Sequence, residues 1–207
     1  MTRVALAEEF ERTALAQYLE RLVSLDNRAA VRLQASGSAM GVWSGPPFEV
    51  VALKPIALNG IGEFDATVSA QRLLERATDL EFDLPEAVAG PTWVGLLPPR
   101  SGWEPRARGD VANVRAAIEQ AKHFFKERAD GVTDRKTLEQ IAYDVWERAC
   151  LAEVPVRSAH AAESLGLLGP SDGIVVAYSS DNWTRLAVPG GSVAARRNFL
   201  PSIPIFT

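Results

Sequence analysis

The chain has 207 residues, with 22 Lys plus Arg against 26 Asp plus Glu, a formal charge of −4, and 47 % hydrophobic and 23 % charged residues. This is an ordinary globular composition, outside the disordered and fibrous classes, and its acidic balance argues against general polyanion binding, which depends on neutralising phosphates. Apolar runs such as residues 50–53 and 174–178 are far shorter than the roughly 18 residues of a membrane span. No membrane partner is expected. The first residues lack the uninterrupted apolar stretch of a secretory signal, and a lone Cys150 cannot form an intramolecular disulfide, so the expected setting is the cytoplasm. At this length one large domain or two small ones can bury a real core.

Residues 5–25 place Leu6, Phe10, Leu15, Leu19 and Leu22 at near-helical spacing, which predicts an amphipathic helix. Val31, Leu33 and Ala35 then alternate with polar neighbours as a strand does. Gly37-Ser38 reads as a turn, a second strand covers 39–43, and a third covers 48–58, giving an antiparallel meander. Pro55, without an amide donor, predicts that the third strand ends, bulges or becomes an edge there. Asn59-Gly60-Ile61-Gly62 reads as a loop, followed by a fourth strand running into a helical turn near Leu73, Leu74 and Ala77. Residues 83–105 are dense in Pro and Gly, with Trp93 and Trp103 embedded, and read as an ordered loop pinned by its tryptophans.

A helix is predicted over 111–129, capped by Asp110 and stopped by Gly131. The next starts at Thr133 or Asp134 and carries Leu138, Ile141, Val145 and Trp146 on one face, with Cys150 on its apolar side as a packing residue. Pro155 interrupts it, and 157–168 forms a shorter helix. Residues 174–179, 183–188 and 192–196 read as strands. The tail, 198–207, has Pro201 and Pro204 between apolar residues and is expected to lie extended on a surface.

Gly169-Pro170-Ser171-Asp172-Gly173 matches the letters of a nucleophile elbow. An elbow needs a strand before the serine and a helix after it, whereas the order here is reversed, and both histidines, His123 and His160, lie upstream. Two histidines and one cysteine match no zinc spacing, and no phosphate-cradling glycine loop is present. No cofactor or metal is expected. His160, flanked by alanines, could serve as a general base, but the sequence supplies it neither partner nor pocket, and a hydrogen-bonded or capping role is preferred.

The order of elements in the last third resembles a winged-helix module, in which a recognition helix enters the major groove and a hairpin touches the backbone. That resemblance implies nucleic-acid contacts from Arg157, His160, Arg185, Arg196 and Arg197. Against it, residues 133–207 hold 7 Arg plus Lys and 8 Asp plus Glu, a net of −1, which suits protein contact better. The stretches Gly95-Leu96-Leu97-Pro98-Pro99-Arg100-Ser101-Gly102-Trp103, Ala159-His160-Ala161-Ala162 and Trp183-Thr184-Arg185-Leu186 resemble blocks of an uncharacterised family of actinobacterial proteins. The resemblance spans most of the chain, implies no activity, and favours one integrated fold.

The expected architecture is α+β. Residues 1–104 form an N-terminal helix on an antiparallel sheet, and 105–207 form a helical region carrying a winged-helix-like β-hairpin, the two parts being joined as one unit or standing as two domains. The leading functional expectation is a non-catalytic protein acting by contact with a protein partner or with itself as a homodimer. Nucleic-acid binding through the C-terminal module is the alternative. An enzyme of unrecognised type is the third reading, with Trp93, Arg100 and Trp103 as its pocket wall.

Overall fold

The computed structural model describes residues 2–197, the side chains of Thr92 and Trp93 excepted. The fold is α+β, with helices packed on one face of a mostly antiparallel sheet. The expectation for the tail, 198–207, lies outside the described residues.

The first departure from the sequence reading is at the N-terminus. Strand β1 (Arg3–Ala5) precedes helix α1 (Glu9–Leu25), because Val4 and Leu6 alternate into the core while Arg3 pairs with Glu81 on a neighbouring strand. Helix α1 buries Leu15, Tyr18, Leu19 and Leu22, the i, i+3, i+4, i+7 spacing of a single stripe, and Glu9 and Glu11 sit in its first turn, where the helix dipole favours them.

The expected meander is instead one long hairpin, β2 (Ala30–Ser44) with β3 (Val51–Ser69). The pairing runs from Ala30–Ser69 to Gly37–Gly62, then resumes at Ala39–Ala57. Between those pairs Ser38 alone faces residues 58–61, so the predicted turn and the predicted loop are the two sides of one bulge. Gly37 (φ 64°) and Gly60 (φ 99°) supply the left-handed backbone it needs. Pro55 stays within β3, and its effect falls on the other edge, where the next strand over pairs only with Val51, Ala52 and Leu53.

Helix α2 (Ala70–Arg76), capped by the Ser69 hydroxyl, leads to β4 (Glu81–Asp83), which pairs with β1. The Pro/Gly-rich segment contains a short 3-10 turn (Thr92–Gly95) and is held to the sheet: the Val88 amide donates to Thr67 and Arg32 donates to the Val94 carbonyl at 2.7 Å. Strand β5 (Glu104–Asp110) is absent from the sequence reading. It is an edge strand with arginines outward and only Ala107 and Gly109 alternating with them, too little apolar signal to register. Asp110 ends it and caps α3 (Val111–Ala129), accepting from the Asn113 amide at 2.7 Å.

Helix α4 (Arg135–Trp146) starts from the Asp134 cap. Cys150 then lies on a short strand, β6 (Ala149–Leu151), not on a helix, opposite β7 (Val154–Pro155). It is half-buried, and burial pushes its thiol up to about 11. Helix α5 (Val156–Ser164) follows, then β8 (Ile174–Ser180), β9 (Trp183–Val188) and β10 (Gly191–Arg196).

These last strands do not form a free wing. The sheet order is β2-β3-β10-β9-β8-β5, so β10 is hydrogen-bonded on one side to the C-terminal hairpin and on the other to β3. The approach is tight. A Cβ on Gly191 (φ 155°) would stand 2.2 Å from the Leu53 carbonyl oxygen. The helix expected to recognise DNA is buried too: Val156, Arg157, Ser158, Ala159, Ala161 and Ala162 of α5 are all covered, the small serine and alanines letting the helix press onto β9 and β10. The winged-helix arrangement is therefore not what these elements build. The core lies between the sheet and helices α1, α3 and α5, with Leu33, Met40, Ile56, Leu186 and Val193 from the sheet meeting Leu19, Leu22, Ile118 and Ala159.

Candidate functional site

The residues singled out from the sequence fall into two separate clusters. The first surrounds α5. Arg157, the second residue of that helix, is only 6 % exposed. Its Nε donates to the Glu147 carboxylate, Nη1 donates to the carbonyls of Phe48 (3.2 Å) and Glu49, and Nη2 donates to the Arg196 carbonyl at 3.3 Å. The four partners come from three different parts of the fold. Glu147 ends α4, Phe48 and Glu49 form the turn between β2 and β3, and Arg196 ends β10. The planar fork of a guanidinium is suited to such a hub. Glu49 takes a left-handed backbone (φ 55°), uncommon for a residue with a side chain, and Arg157 fixes its carbonyl.

His160 lies one helical turn further on. Its ring stacks on Trp146 (4.8 Å between centroids, 10° between planes) and tilts against Phe48 (5.0 Å, 59°). Burial lowers its pKa, the nearby Lys122 lowers it further, and Glu163 and Glu119 oppose the shift. The ring is engaged on two sides by aromatic neighbours. Beside it opens a groove of about 420 Å³ lined by Pro47, Phe48, Ala142, Tyr143, Trp146 and His160. Tyr143 is 47 % exposed, and Glu49, Glu147 and Arg157 complete the lining.

The second cluster lies on the sheet face away from the helices. Arg185 of β9 is sandwiched between the rings of Trp103 (4.3 Å) and Tyr178 (4.7 Å). Tyr178 is its cross-strand partner. The Trp103 indole N–H donates to the Pro99 carbonyl at 2.8 Å, which pins the Pro/Gly segment. Burial draws the Arg185 pKa down, and its Nε–H is buried without a hydrogen-bond partner among the described residues. Arg196 lies over the ring of its cross-strand partner Trp183 at 5.8 Å. Arg197 pairs with Glu153, and its amide donates to the Asn182 carbonyl at 2.7 Å.

The five residues of the nucleic-acid reading are thus divided. Arg157 and His160 serve the groove, Arg185 and Arg196 stack on the sheet face, and Arg197 is engaged by a carboxylate. Of the pocket-wall residues, Trp103 joins Arg185, and Arg100 is exposed near Asp65. The Asp65 carboxyl is held below its usual range by hydrogen bonds from Arg32 first and also from Gln34, with the Arg100 charge adding to the effect. The Trp93 side chain lies outside those described. Among the described residues there is no group of three or more His, Cys, Asp or Glu able to hold a metal, and no helix is long and apolar enough to cross a membrane.

The sequence reading did not assign the groove's own walls, Phe48, Tyr143 and Trp146, to a site. Trp146 looked like core, and Phe48 like the start of a strand. The one available signal was Tyr143, a large ring off the apolar stripe of α4.

The fold is similar to that of bacterial sliding clamps. The DNA polymerase III subunit beta clamp from Bartonella birtlesii, solved bound to griselimycin, superposes with a TM-score of 0.60 at 10 % identity, covering 95 % of this chain and 65 % of that one. Caulobacter crescentus pol III beta gives 0.58 at 12 % identity, with 94 % and 65 % covered. The Pseudomonas aeruginosa DNA polymerase III subunit beta gives 0.54 at 13 % identity, with 89 % and 62 % covered. Such identities show a shared fold alone, and the chain spans less than two thirds of the length of these clamps. No curated protein matches it. Residues 1–95 match Domain of unknown function (DUF8010) and residues 98–200 match Domain of unknown function (DUF8185), so the two family models together cover nearly the whole chain.

Proposed function

We propose that this protein works by protein–protein contact and that the groove between α4, α5 and the β2–β3 turn receives an extended apolar segment containing proline. One observation carries the reading: the groove is lined by Pro47, Phe48, Tyr143, Trp146 and His160, while the polar groups that share the lining are already joined to one another through Arg157. Surfaces that take proline-rich segments are aromatic-lined and bind a helix that is already extended, so little entropy is lost. The shared scaffold adds support, since the solved clamps are named as a subunit of a polymerase and so work inside an assembly.

The test is a titration of the full chain with a short fluorescein-labelled peptide that alternates proline with leucine and phenylalanine. Binding that Tyr143→Glu abolishes supports the groove. Binding indifferent to Tyr143→Glu, or none at all, removes it. A second copy as the partner predicts a concentration-dependent mass above 22.4 kDa in sedimentation velocity.

A second reading rests on the sheet face, where Arg185 and Arg196 alternate with Trp103, Tyr178 and Trp183. Aromatic and arginine planes together can stack nucleic-acid bases. Anisotropy of labelled single-stranded and duplex DNA at about 50 and 200 mM salt decides it, because phosphate contacts weaken steeply over that range.

A further inference from the structure

The helix-covered face of the sheet holds one residue that breaks its apolar pattern. Along β3, Ala52 and Ile56 are both buried in the core, and Lys54 stands between them on the same face. Its cross-strand partner on β2 is Val42, also fully buried. A valine or isoleucine would continue the core at this position. The lysine is half-buried, and its ammonium has no hydrogen bond or ion pair among the described residues. Burial draws its pKa down, and the Glu11 carboxylate opposes the shift through its charge. Lys54 lines a pocket of about 320 Å³ bounded by α1, β3 and the turn that follows α5, whereas the groove lies along the first turns of that helix. From α1 the pocket receives Phe10, Thr13, Gln17 and Arg21, a single stripe of one helix face. Arg21 is already engaged. A Cβ on Gly166 (φ 72°) would stand 2.8 Å from its Nε, so the guanidinium lies against the backbone just past the carboxyl end of α5, where the helix dipole favours a cation. That leaves Lys54 as the unmatched charge of the pocket.

We infer that this pocket binds a small carboxylate with a flat apolar body, the acid group paired with Lys54 and the body packed against Phe10. The inference is independent of the contact surface proposed above. The volume stands at the small end of the roughly 300–1,000 Å³ typical of organic-ligand sites. Phe10 is 70 % exposed, a large ring that a bound body would cover. The Thr13 hydroxyl and the Gln17 amide bring neutral donors into the same lining, and Leu165 and Leu167 add apolar surface. An ammonium partly withdrawn from water without a partner weakens the fold, and a carboxylate that pairs with it recovers that loss as affinity. A monoanion is favoured over a phosphate dianion, because one unmatched cation leaves a second negative charge uncompensated in a half-dry site.

The decisive measurement is calorimetric titration of the full chain with naphthoate, with its neutral amide, naphthamide, and with inorganic phosphate. Naphthoate is expected to bind, and the amide and phosphate to bind about tenfold more weakly or not at all. Lys54→Met, which exchanges the ammonium for an apolar side chain, should lose about tenfold in naphthoate affinity and, without ligand, melt at a higher temperature than the natural chain. Phe10→Ala changes an exposed position and should weaken naphthoate about threefold. No naphthoate binding to the natural chain at concentrations up to about 10 mM overturns the inference. Equal affinity for acid and amide, a comparison that needs no variant, overturns the role of the charge, and phosphate binding as tightly as naphthoate overturns the role of the apolar body. Unchanged naphthoate affinity in Lys54→Met overturns the site itself, and a lower melting temperature for that variant would show the ammonium satisfied within the fold, against the inference. Naphthoate binding abolished by Tyr143→Glu would place the ligand in the groove and overturn the inference while leaving the groove as a binding surface.

Discussion

Arg157 and Arg185 are both withdrawn from bulk water, and the two regions around them stabilise the charge in opposite ways. At the groove, Arg157 finds a carboxylate and three carbonyls from three elements. On the sheet face, Arg185 finds two aromatic rings and, among the described residues, no carboxylate and one buried N–H left over. Hydrogen bonds to fixed carbonyls specify a geometry, whereas a cation over a ring tolerates sliding. The groove is therefore the better-defined surface, and the sheet face the more adaptable one.

The largest test of this contrast is Arg157→Met. It leaves Glu147 without its cation and frees the strained Glu49 turn, so urea unfolding is expected to show a loss of about 3 kcal/mol. Arg157→Lys recovers little of that, because one ammonium cannot reach all four acceptors. A loss below about 1 kcal/mol for either variant would mean that the hub is decoration.

Next in size are the tryptophans. Trp146→Ala strips the stacking partner of His160 and of Phe125, which lies 6.5 Å away, and is expected to cost about 2 kcal/mol. Trp103→Ala removes one ring over Arg185 and is expected to cost about 1 kcal/mol. The reverse order would make the sheet face the more tightly built region. Arg185→Met comes third: its stem packing is kept and its orphaned N–H removed, so the change in stability should stay within about 1 kcal/mol of zero.

The smallest effect concerns pH. The fold keeps His160 neutral, with its pKa below the ordinary 6.5, mainly through burial. The unfolded chain takes up that proton first as pH falls, so stability is complete above about pH 6.5 and declines as acidification proceeds toward the folded value. Urea midpoints between about pH 7 and 5 should fall less in His160→Phe than in the natural chain. Identical slopes would show that the stacked ring does not resist protonation.

Local signals carried much of the secondary structure. Asp110 caps the helix it was expected to cap, Asp134 is the one of the two offered starts that caps the next, and the strand expected at 183–188 is present at Trp183–Val188. What failed to register was either weakly apolar or distant. Strand β1 buries only Val4, and β5 turns little more than Ala107 inward. The hairpin bulge looked like two separate turns, because nothing local says that Ser38 and residues 58–61 face one another. The groove is the extreme case. Arg157 meets Phe48 across 109 positions and Arg196 across 39, and a buried arginine at the start of a helix is indistinguishable in sequence from one offered to a phosphate. Charge counted along the chain spoke against general polyanion binding, but it could not reveal which arginines were already engaged.

The pairing of β3 with β10 bears on how the two family segments can exist apart. Three residue pairs, Val51–Ala194, Ala52–Val193 and Leu53–Ser192, form the seam, and each segment alone would present one of those strands as a bare edge open to any passing strand. Fragments 1–95 and 98–207, produced separately, are expected to be sticky and poorly soluble. Mixed, they should reconstitute the sheet, and a side chain at Gly191, where a Cβ would meet the Leu53 carbonyl, should block that reassembly first.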